Sequence, residues 1–147
     1  MPTPHSSRFD ARLEPFAAMH AFVEQFCRGV AVGPGTCAAL TLIVEELFAN
    51  SVQHGYRGSE ESSPEWPIWL TLGISKDRVE AVYEDAAPAY NPFENIAVPD
   101  YSGPVESWRM GGLGVLLVAR HASDLDYERR SGRNRIRFTV PMNDPAA

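Results

Sequence analysis

The amino-acid sequence predicts an α/β fold of the α+β sandwich type, in which helices cover one face of a mixed, mostly antiparallel sheet. Helical and strand patterns are partly segregated along the 147 residues, in the order helix, helix, hairpin, long loop, helix, hairpin. The length is that of one ordinary domain, and no internal repeat divides it. We therefore expect residues 1–147 to form a single domain.

Two amphipathic helices are predicted in the first part of the chain. Apolar residues recur at helical spacing from Glu14 to Val30, which indicates one buried stripe. A second helix is predicted from about Cys37 to His54, with Thr36 as its N-cap and Gly55 as its stop. Its apolar face consists of Leu40, Ile43, Val44, Leu47 and Ser51.

Alternating apolar residues predict the strands. After a short strand around Ser7–Ala11, two strands are joined by a turn at Ser75-Lys76-Asp77, and a closing hairpin turns at Ser131-Gly132. Residues 86–110 show no period, and a loop of this length in a compact domain is usually a lid or a binding loop. The predicted core-facing strand residues are Ile68, Leu70, Leu72, Val79, Ala81, Tyr83, Leu125, Tyr127, Ile136, Phe138 and Val140.

Composition excludes several classes of protein. The 44% hydrophobic and 22% charged residues are typical of soluble globular proteins. The net charge of −6 argues against nucleic acid as a partner, because phosphate binding normally requires a basic face. Five arginines cluster in the closing hairpin, where alternation along the strands favours a solvated face over a phosphate site: Arg129, Arg130, Arg133, Arg135 and Arg137.

The sequence predicts neither a signal peptide nor a membrane span, because it contains no basic segment followed by an apolar core and no long apolar run. A cytoplasmic protein is therefore expected. Cys27 and Cys37 lack C-x-x-C spacing, so they are interpreted as small apolar residues and not as a zinc or redox site.

The second helix carries a pair of polar residues whose side chains suit metal binding and catalysis. Glu46 and Asn50 are four residues apart, so they lie on one face of the helix, one turn from each other. A carboxylate and a carboxamide held in this way suit a site that binds hydrated Mg²⁺ and activates a hydroxyl group. From this pair alone, a solvated helix face is the simpler interpretation.

Two further features point to a nucleotide. Asp85 ends a predicted strand, where its carboxylate suits a hydrogen bond from an exocyclic amine such as that of adenine, although such a residue is more often part of a turn. The segment Gly111-Gly112-Leu113-Gly114 opens a helix, and glycines at a helix N-terminus let phosphate approach the backbone N–H groups. Its spacing matches neither a Rossmann nor a P-loop motif.

The three features together, in this order, resemble the motifs of the ATPase superfamily shared by histidine kinases, DNA gyrase, certain chaperones and mismatch-repair ATPases (GHKL). The resemblance covers roughly residues 36–141. Three segments resemble the anti-sigma-factor serine/threonine kinase branch in particular: E-E-L-F-A-N-S-V-Q-H-G from residue 45, Ala-Tyr-Asn-Pro from residue 89 and G-G-L-G-V-L-L-V from residue 111.

The resemblance implies roles for individual residues. Asn50 is expected to coordinate Mg²⁺ and Glu46 to act as the general base, with Glu45 as the competing choice if the helix register is shifted by one. Asp85 is expected to accept the adenine amine, and a mobile ATP lid is expected between the third strand region and the last helix. The other implied nucleotide contacts are His54, Ala87, Arg109, Gly111, Gly112, Leu113 and Gly114.

One position departs from the family pattern. The family usually has Asp-x-Gly at the end of this strand, whereas the chain has Asp85-Ala86-Ala87. If the glycine serves a close approach to adenine or a positive φ, the methyl group of Ala87 weakens ATP binding. With ordinary backbone geometry at Ala87, the pocket still functions.

By resemblance, the protein is an anti-sigma regulatory factor that binds ATP and Mg²⁺. It is expected to phosphorylate serine or threonine of an anti-sigma antagonist protein, to sequester a sigma factor and to form a homodimer, without nucleic-acid or membrane partners. The alternative is a catalytically weak or inactive nucleotide-binding module that acts by stoichiometric protein contact. A detached catalytic half of a histidine kinase is a third interpretation.

Overall fold

The computed structural model describes residues 3–57, 64–94, 118 and 120–142. Residues Val118, Arg120 and His121 are helical and precede the last hairpin. The helices and strands, in chain order, are β1 (His5–Asp10), α1 (Phe16–Gly29), α2 (Pro34–Asn50), a π-helical turn (Ser51–Tyr56), β2 (Pro67–Ser75), β3 (Arg78–Asp85), β4 (Ser123–Arg130) and β5 (Arg133–Pro141).

The five described strands form one sheet in the order β1-β2-β3-β5-β4, and each neighbouring pair is antiparallel. Burial alternates along β2, β3 and β5, as expected for a sheet with one covered face. The predicted fold class is confirmed, and the predicted inward residues of β2, β3 and β5 are buried.

Both helices contribute to the core that covers this face. The buried residues of α1 are Met19, Val23, Phe26 and Cys27. The buried residues of α2 are Thr36, Leu40, Ile43, Val44 and Leu47, which confirms the apolar face predicted for that helix. α1 contacts β1 and α2 contacts β5, so the two helices lie across the sheet from one edge strand to a central strand.

The helical segment Pro34–Tyr56 has 23 residues and is, by length and composition alone, apolar enough to cross a membrane. It is the one such helix among the residues that the structure describes. In this fold the apolar residues Leu40, Ile43, Val44 and Leu47 of the segment belong to the core.

The ends of this segment differ from the prediction. Thr36 is not the N-cap, because the helix begins earlier, with Gly33 as N-cap and Pro34 at the first helical position. Proline is favoured there, since the first N–H groups of a helix have no partner within the helix. Gly55 is not the stop either. It lies inside the π-helical turn, which closes with the hydrogen bond from Arg57 N–H to Val52 C=O at 3.1 Å.

The predicted hairpin turns are confirmed. Lys76 adopts a positive φ of 58° between β2 and β3. Ser131 and Gly132 have φ values of 52° and 76° between β4 and β5, as in the two-residue turns whose twist matches that of the flanking strands. The first strand lies at His5–Asp10, close to the predicted Ser7–Ala11.

Candidate functional site

A buried carboxylate marks one end of the sheet. The alternation that buries Val79, Ala81 and Tyr83 continues to Asp85, so its side chain also points to the helix-covered face. Asp85 pairs with Asn134 on β5 in the strand register. With only 7% of Asp85 exposed, its charge depends on protein hydrogen bonds, since a buried ionised group without partners is strongly destabilising.

Three groups donate hydrogen bonds to the Asp85 carboxylate. Ser51 Oγ donates to Oδ2 at 2.6 Å, and Asn134 Nδ2 donates to Oδ1 at 2.8 Å. The backbone N–H of Ala87 also donates to Oδ1, at 3.2 Å. A carboxylate offers about four acceptor positions. With respect to the part of the chain that the structure describes, one position on Oδ2 is therefore left for a further donor.

A buried tyrosine extends this network. Tyr83 Oη lies 2.8 Å from Ser51 Oγ. The single hydroxyl proton of Ser51 is used toward Asp85, so Tyr83 must be the donor in this pair. Burial raises the pKa of Tyr83 well above its usual value, which keeps the phenol protonated as a donor. The hydrogen bonds therefore run in one direction, with Tyr83 donating to Ser51 and Ser51 donating to Asp85.

Asn134 connects the carboxylate to the segment after β3. Its Oδ1 accepts from the backbone N–H of Tyr90 at 3.0 Å, and because that group can only donate, the orientation of the amide is fixed. Tyr127 Oη donates to the same oxygen at 2.6 Å. The Nδ2 group faces Asp85 and the carbonyl oxygens of Ala87 and Pro88, at 3.2 and 3.0 Å.

Tyr56, in the π-helical turn, positions the end of β3. Its hydroxyl donates to the carbonyl oxygen of Pro67 at 2.5 Å and accepts from the backbone N–H of Ala86 at 2.7 Å. Its ring stacks on Trp66 with 5.6 Å between centroids. The π-helical turn therefore places both Ser51 and Tyr56 against the strand end that carries Asp85. Such turns are frequent at functional sites.

These groups surround a small cavity of about 20 Å³, which is room for about one water molecule. Tyr90 and Pro92 line it from the segment after β3, and Asn50 lines it from α2. The remaining lining residues are Leu47, Ser51, Gly55, Tyr83, Asp85, Asn134 and Ile136.

A larger groove of about 660 Å³ lies elsewhere, between the start of α2 and the end of β5. It includes Leu42 and Arg120, but none of the predicted site residues that the structure describes. The small cavity is the better candidate site despite its size, because the buried carboxylate and its hydrogen-bonded partners converge there.

A family model described as the histidine kinase-like ATPase domain matches residues 9–140. The chain belongs to this family. Membership implies ATP binding, and it confirms the superfamily resemblance found in the sequence.

Two similar proteins agree with the anti-sigma-factor kinase branch. The serine/threonine-protein kinase BtrW of Bordetella bronchiseptica is 28% identical over 100 residues, which are 68% of this chain and 67% of that protein. The crystal structure of the RsbU and RsbW domains of Rv1364c from Mycobacterium tuberculosis matches with a TM-score of 0.64 at 16% identity. That match covers 99% of this chain and 34% of the other, so this chain spans about a third of its length, and the likeness concerns the fold.

The structure of this ATPase domain brings some of the predicted site residues together. Asn50 and Asp85 line the same cavity, from α2 and β3 respectively. Glu46 is half-buried one turn before Asn50, whereas Glu45 and His54 are exposed. Of the described residues, neither Glu46 nor His54 lines the cavity. Arg109, Gly111, Gly112, Leu113, Gly114 and the predicted lid beyond Glu94 lie outside the described residues.

Ala87, which departs from the family pattern, has ordinary backbone geometry. Among the described non-glycine residues, positive φ occurs at Ala31, Lys76, Asp124 and Ser131, and not at Ala87. The Ala87 side chain is 1% exposed, and a Cβ at Gly55 would lie only 2.9 Å from the Ala87 Cβ. The extra methyl group at position 87 is therefore accommodated by the absence of a side chain at position 55.

This complementarity predicts a reciprocal effect on stability. We expect Gly55→Ala to lower the free energy of unfolding by about 1 to 3 kcal/mol, because two methyl groups then overlap. The double variant Gly55→Ala/Ala87→Gly is expected to recover most of that loss. Urea denaturation followed by circular dichroism measures both effects, and Gly29→Ala is the control because a Cβ at Gly29 meets no atom within 4 Å. Additive destabilisation in the double variant would contradict the proposed contact.

Sequence reasoning missed three residues of the site. The sequence pattern predicts Ser51 on the apolar face of the second helix and Tyr83 among the apolar strand residues. Asn134 has no predicted role, although it precedes Ile136, Phe138 and Val140 at the alternating spacing that marks the core-facing side of β5. A polar residue at a core-facing position is the signal that identifies such groups.

Proposed function

We propose that this protein binds ATP with Mg²⁺ and transfers the γ-phosphoryl group to a serine or threonine of a small antagonist protein that controls a sigma factor. The observation that carries the proposal is the buried Asp85 carboxylate, which shares a cavity with Asn50 and has one acceptor position that no donor among the described residues uses. The similarity to the serine/threonine-protein kinase BtrW supports the choice of acceptor.

The carboxylate suits the adenine end of ATP. Oδ2 of Asp85 accepts one hydrogen bond from Ser51 and has room in its coordination for an exocyclic amine. The other partners of the carboxylate hold it still, which reduces the ordering cost of binding. Because a cavity of about 20 Å³ is too small for a purine, Tyr90 and Pro92 must move outward when the base enters.

Asn50 is the proposed Mg²⁺ ligand. Among the described residues, no group of three or more His, Cys, Asp or Glu side chains is placed to hold a metal ion. A single side-chain oxygen is sufficient for Mg²⁺ when phosphate oxygens and waters complete the octahedral shell. When bound, Mg²⁺-ATP supplies the phosphoryl group for transfer. The proposed phosphate contacts are Arg109, Gly111, Gly112, Leu113 and Gly114, with His54 as a further candidate.

Glu46 is the proposed general base. Its position on α2, one turn from Asn50, keeps the carboxylate on the same helix face as the proposed metal ligand. A carboxylate in this position accepts the proton of the attacking hydroxyl group, whereas binding of the adenine ring depends on Asp85 at the end of β3.

We expect Glu46→Gln to lower phosphoryl transfer at least about tenfold while ATP affinity stays within about twofold of the unchanged protein, because loss of a base affects the transfer step and not ground-state binding. The assay follows label from γ-labelled ATP into acid-stable phosphoprotein in an extract of the host organism. Glu45→Gln is the matched control, since Glu45 is exposed and adjacent in sequence. Full transfer by Glu46→Gln, or loss of transfer in Glu45→Gln alone, would assign the base to another residue.

The assembly follows from the same proposal. We place the protein in the cytoplasm as a single domain that forms a homodimer and binds the antagonist protein and a sigma factor. Membership of the histidine kinase-like ATPase family and the similarity to a serine/threonine-protein kinase support a protein partner.

A further inference from the structure

The hairpin between α1 and α2 brings the two cysteines of the chain together. Cys27 lies in the last turn of α1 and Cys37 in the first turns of α2, and the chain contains no other cysteine. Both cysteines line the same surface groove, and Cys37 is close enough to Cys27 to contribute to the raised pKa of its thiol. The two cysteines lack C-x-x-C spacing, and their proximity comes from the packing of α1 against α2.

The backbone between the helices holds this approach. The N–H of Val32 donates to the carbonyl oxygen of Cys27 at 3.1 Å, and the N–H of Cys37 donates to that of Gly33 at 2.9 Å. Ala31 completes the reversal with a φ of 55°, a conformation that is unfavourable for a residue with a side chain and is held by its surroundings. The first of these hydrogen bonds ties the connection to the end of α1 and the second lies in the first turn of α2, so the short connection limits how far apart the two cysteines lie.

The two thiols differ in their access to solvent. Both line an open surface groove of about 410 Å³, together with Glu24, Arg28, Ala31, Val32 and Pro34. Cys37 is half-buried, whereas Cys27 is 5% exposed. Burial, followed by the neighbouring Cys37, raises the pKa of Cys27 to about 12, so its thiol is protonated at neutral pH. A reagent in the groove therefore meets Cys37 first.

We propose that Cys27 and Cys37 form a redox-active dithiol that a hydroperoxide converts into an intramolecular disulfide joining α1 to α2. In the first step the sulfur of Cys37 attacks the peroxide O–O bond, giving Cys37 sulfenic acid and the alcohol or water derived from the peroxide. In the second step the sulfur of Cys27 displaces the hydroxyl group of the sulfenic acid. The thiol proton leaves with that hydroxyl group as water, so the pair supplies both electrons that reduce the peroxide.

The disulfide is reversible by added thiols, and its formation is independent of nucleotide binding. The proposal therefore adds a modification site to the protein, at a place separate from the cavity around Asp85. In a reducing compartment such a bond is transient, as is usual for regulatory disulfides.

The experiment exposes the full-length protein to hydrogen peroxide, then unfolds it, blocks free thiols with N-ethylmaleimide and measures the intact mass. We expect the untreated protein to take up two maleimide groups and the treated protein none, with a mass lower by two hydrogen atoms and the mobility of a monomer on a non-reducing gel. Dithiothreitol is expected to restore both thiols. Because the chain has two cysteines, an intramolecular disulfide has only one assignment.

Single variants test the order of the steps. Cys27→Ala is expected to stop at a Cys37 sulfenic acid that reacts with dimedone, and Cys37→Ala is expected to leave Cys27 unoxidised under the same conditions. Two free thiols after treatment, a disulfide-linked dimer, or conversion of Cys37 in the unchanged protein to sulfinic acid without loss of the Cys27 thiol would each overturn the proposal. The mass measurement on the unchanged protein decides the matter even if a variant does not fold.

Discussion

Asp85→Asn is expected to weaken ATP binding by about a hundredfold or more, because it removes the charged acceptor for the base and disturbs the partners of the carboxylate. The carboxamide has one acceptor oxygen where the carboxylate has two. It cannot accept from Ser51, from Asn134 and from an adenine amine at once. Isothermal titration calorimetry with ATP in the presence of Mg²⁺ measures the change in Kd.

The control for this variant is Asp126→Asn, which neutralises an exposed carboxylate on β4. The two variants therefore carry the same formal charge. We expect its Kd to match that of the unchanged protein. Circular dichroism establishes that Asp85→Asn is folded at the temperature of the titration. A folded Asp85→Asn protein with unchanged Kd would mean that the adenine base does not contact Asp85.

Asn134→Ala is expected to lower the free energy of unfolding by about 2 to 4 kcal/mol, the largest loss of stability that we expect from a single polar truncation in this fold. The change removes a buried donor from Asp85 and the acceptor used by both Tyr90 N–H and Tyr127 Oη. The carbonyl oxygen of Ala87 loses the hydrogen bond from Asn134 but keeps the one that Arg129 donates at 2.7 Å. Urea denaturation measures the effect as a lower midpoint of unfolding at an unchanged m-value.

Arg137→Ala is the matched control, because Arg137 is exposed on the same strand and lies three residues away. Its effect is expected to stay within about 0.5 kcal/mol. Equal destabilisation by the two variants would show that Asn134 has no special place in the network. Retention of full stability in Asn134→Ala would have the same meaning.

The alternation of apolar residues in strands and their spacing of three or four residues in helices were sufficient to predict most of the fold. In β3, the alternation of Val79, Ala81 and Tyr83 also placed Asp85 on the covered face. In α2, the four-residue spacing of Glu46 and Asn50 put both on one side of the helix. Such periodicities survive in the sequence because burial of one face constrains every second strand residue and every third or fourth helical residue.

Other features depend on contacts between distant segments, which a single sequence does not display. The π-helical turn that carries Ser51 toward Asp85 has no local signature, and Gly55 resembles a helix stop although its role is to make room for Ala87. Asn134 becomes a site residue only because β5 pairs with β3 in a register that sets it opposite Asp85. The contact between Cys27 and Cys37 likewise arises from the packing of two helices.

The most direct test of the nucleotide site is calorimetric titration of the unchanged protein with ATP, with Mg²⁺ and then with EDTA in its place. The proposed site predicts saturable binding of one ATP per chain that is tighter with Mg²⁺, since Asn50 and the phosphates share the metal ion. If ATP gives no heat of binding and does not compete with a fluorescent ATP analogue, either with Mg²⁺ or with EDTA, the proposed nucleotide site is contradicted. That result would mean that Tyr90 and Pro92 keep the cavity closed and that the domain acts through protein contacts alone.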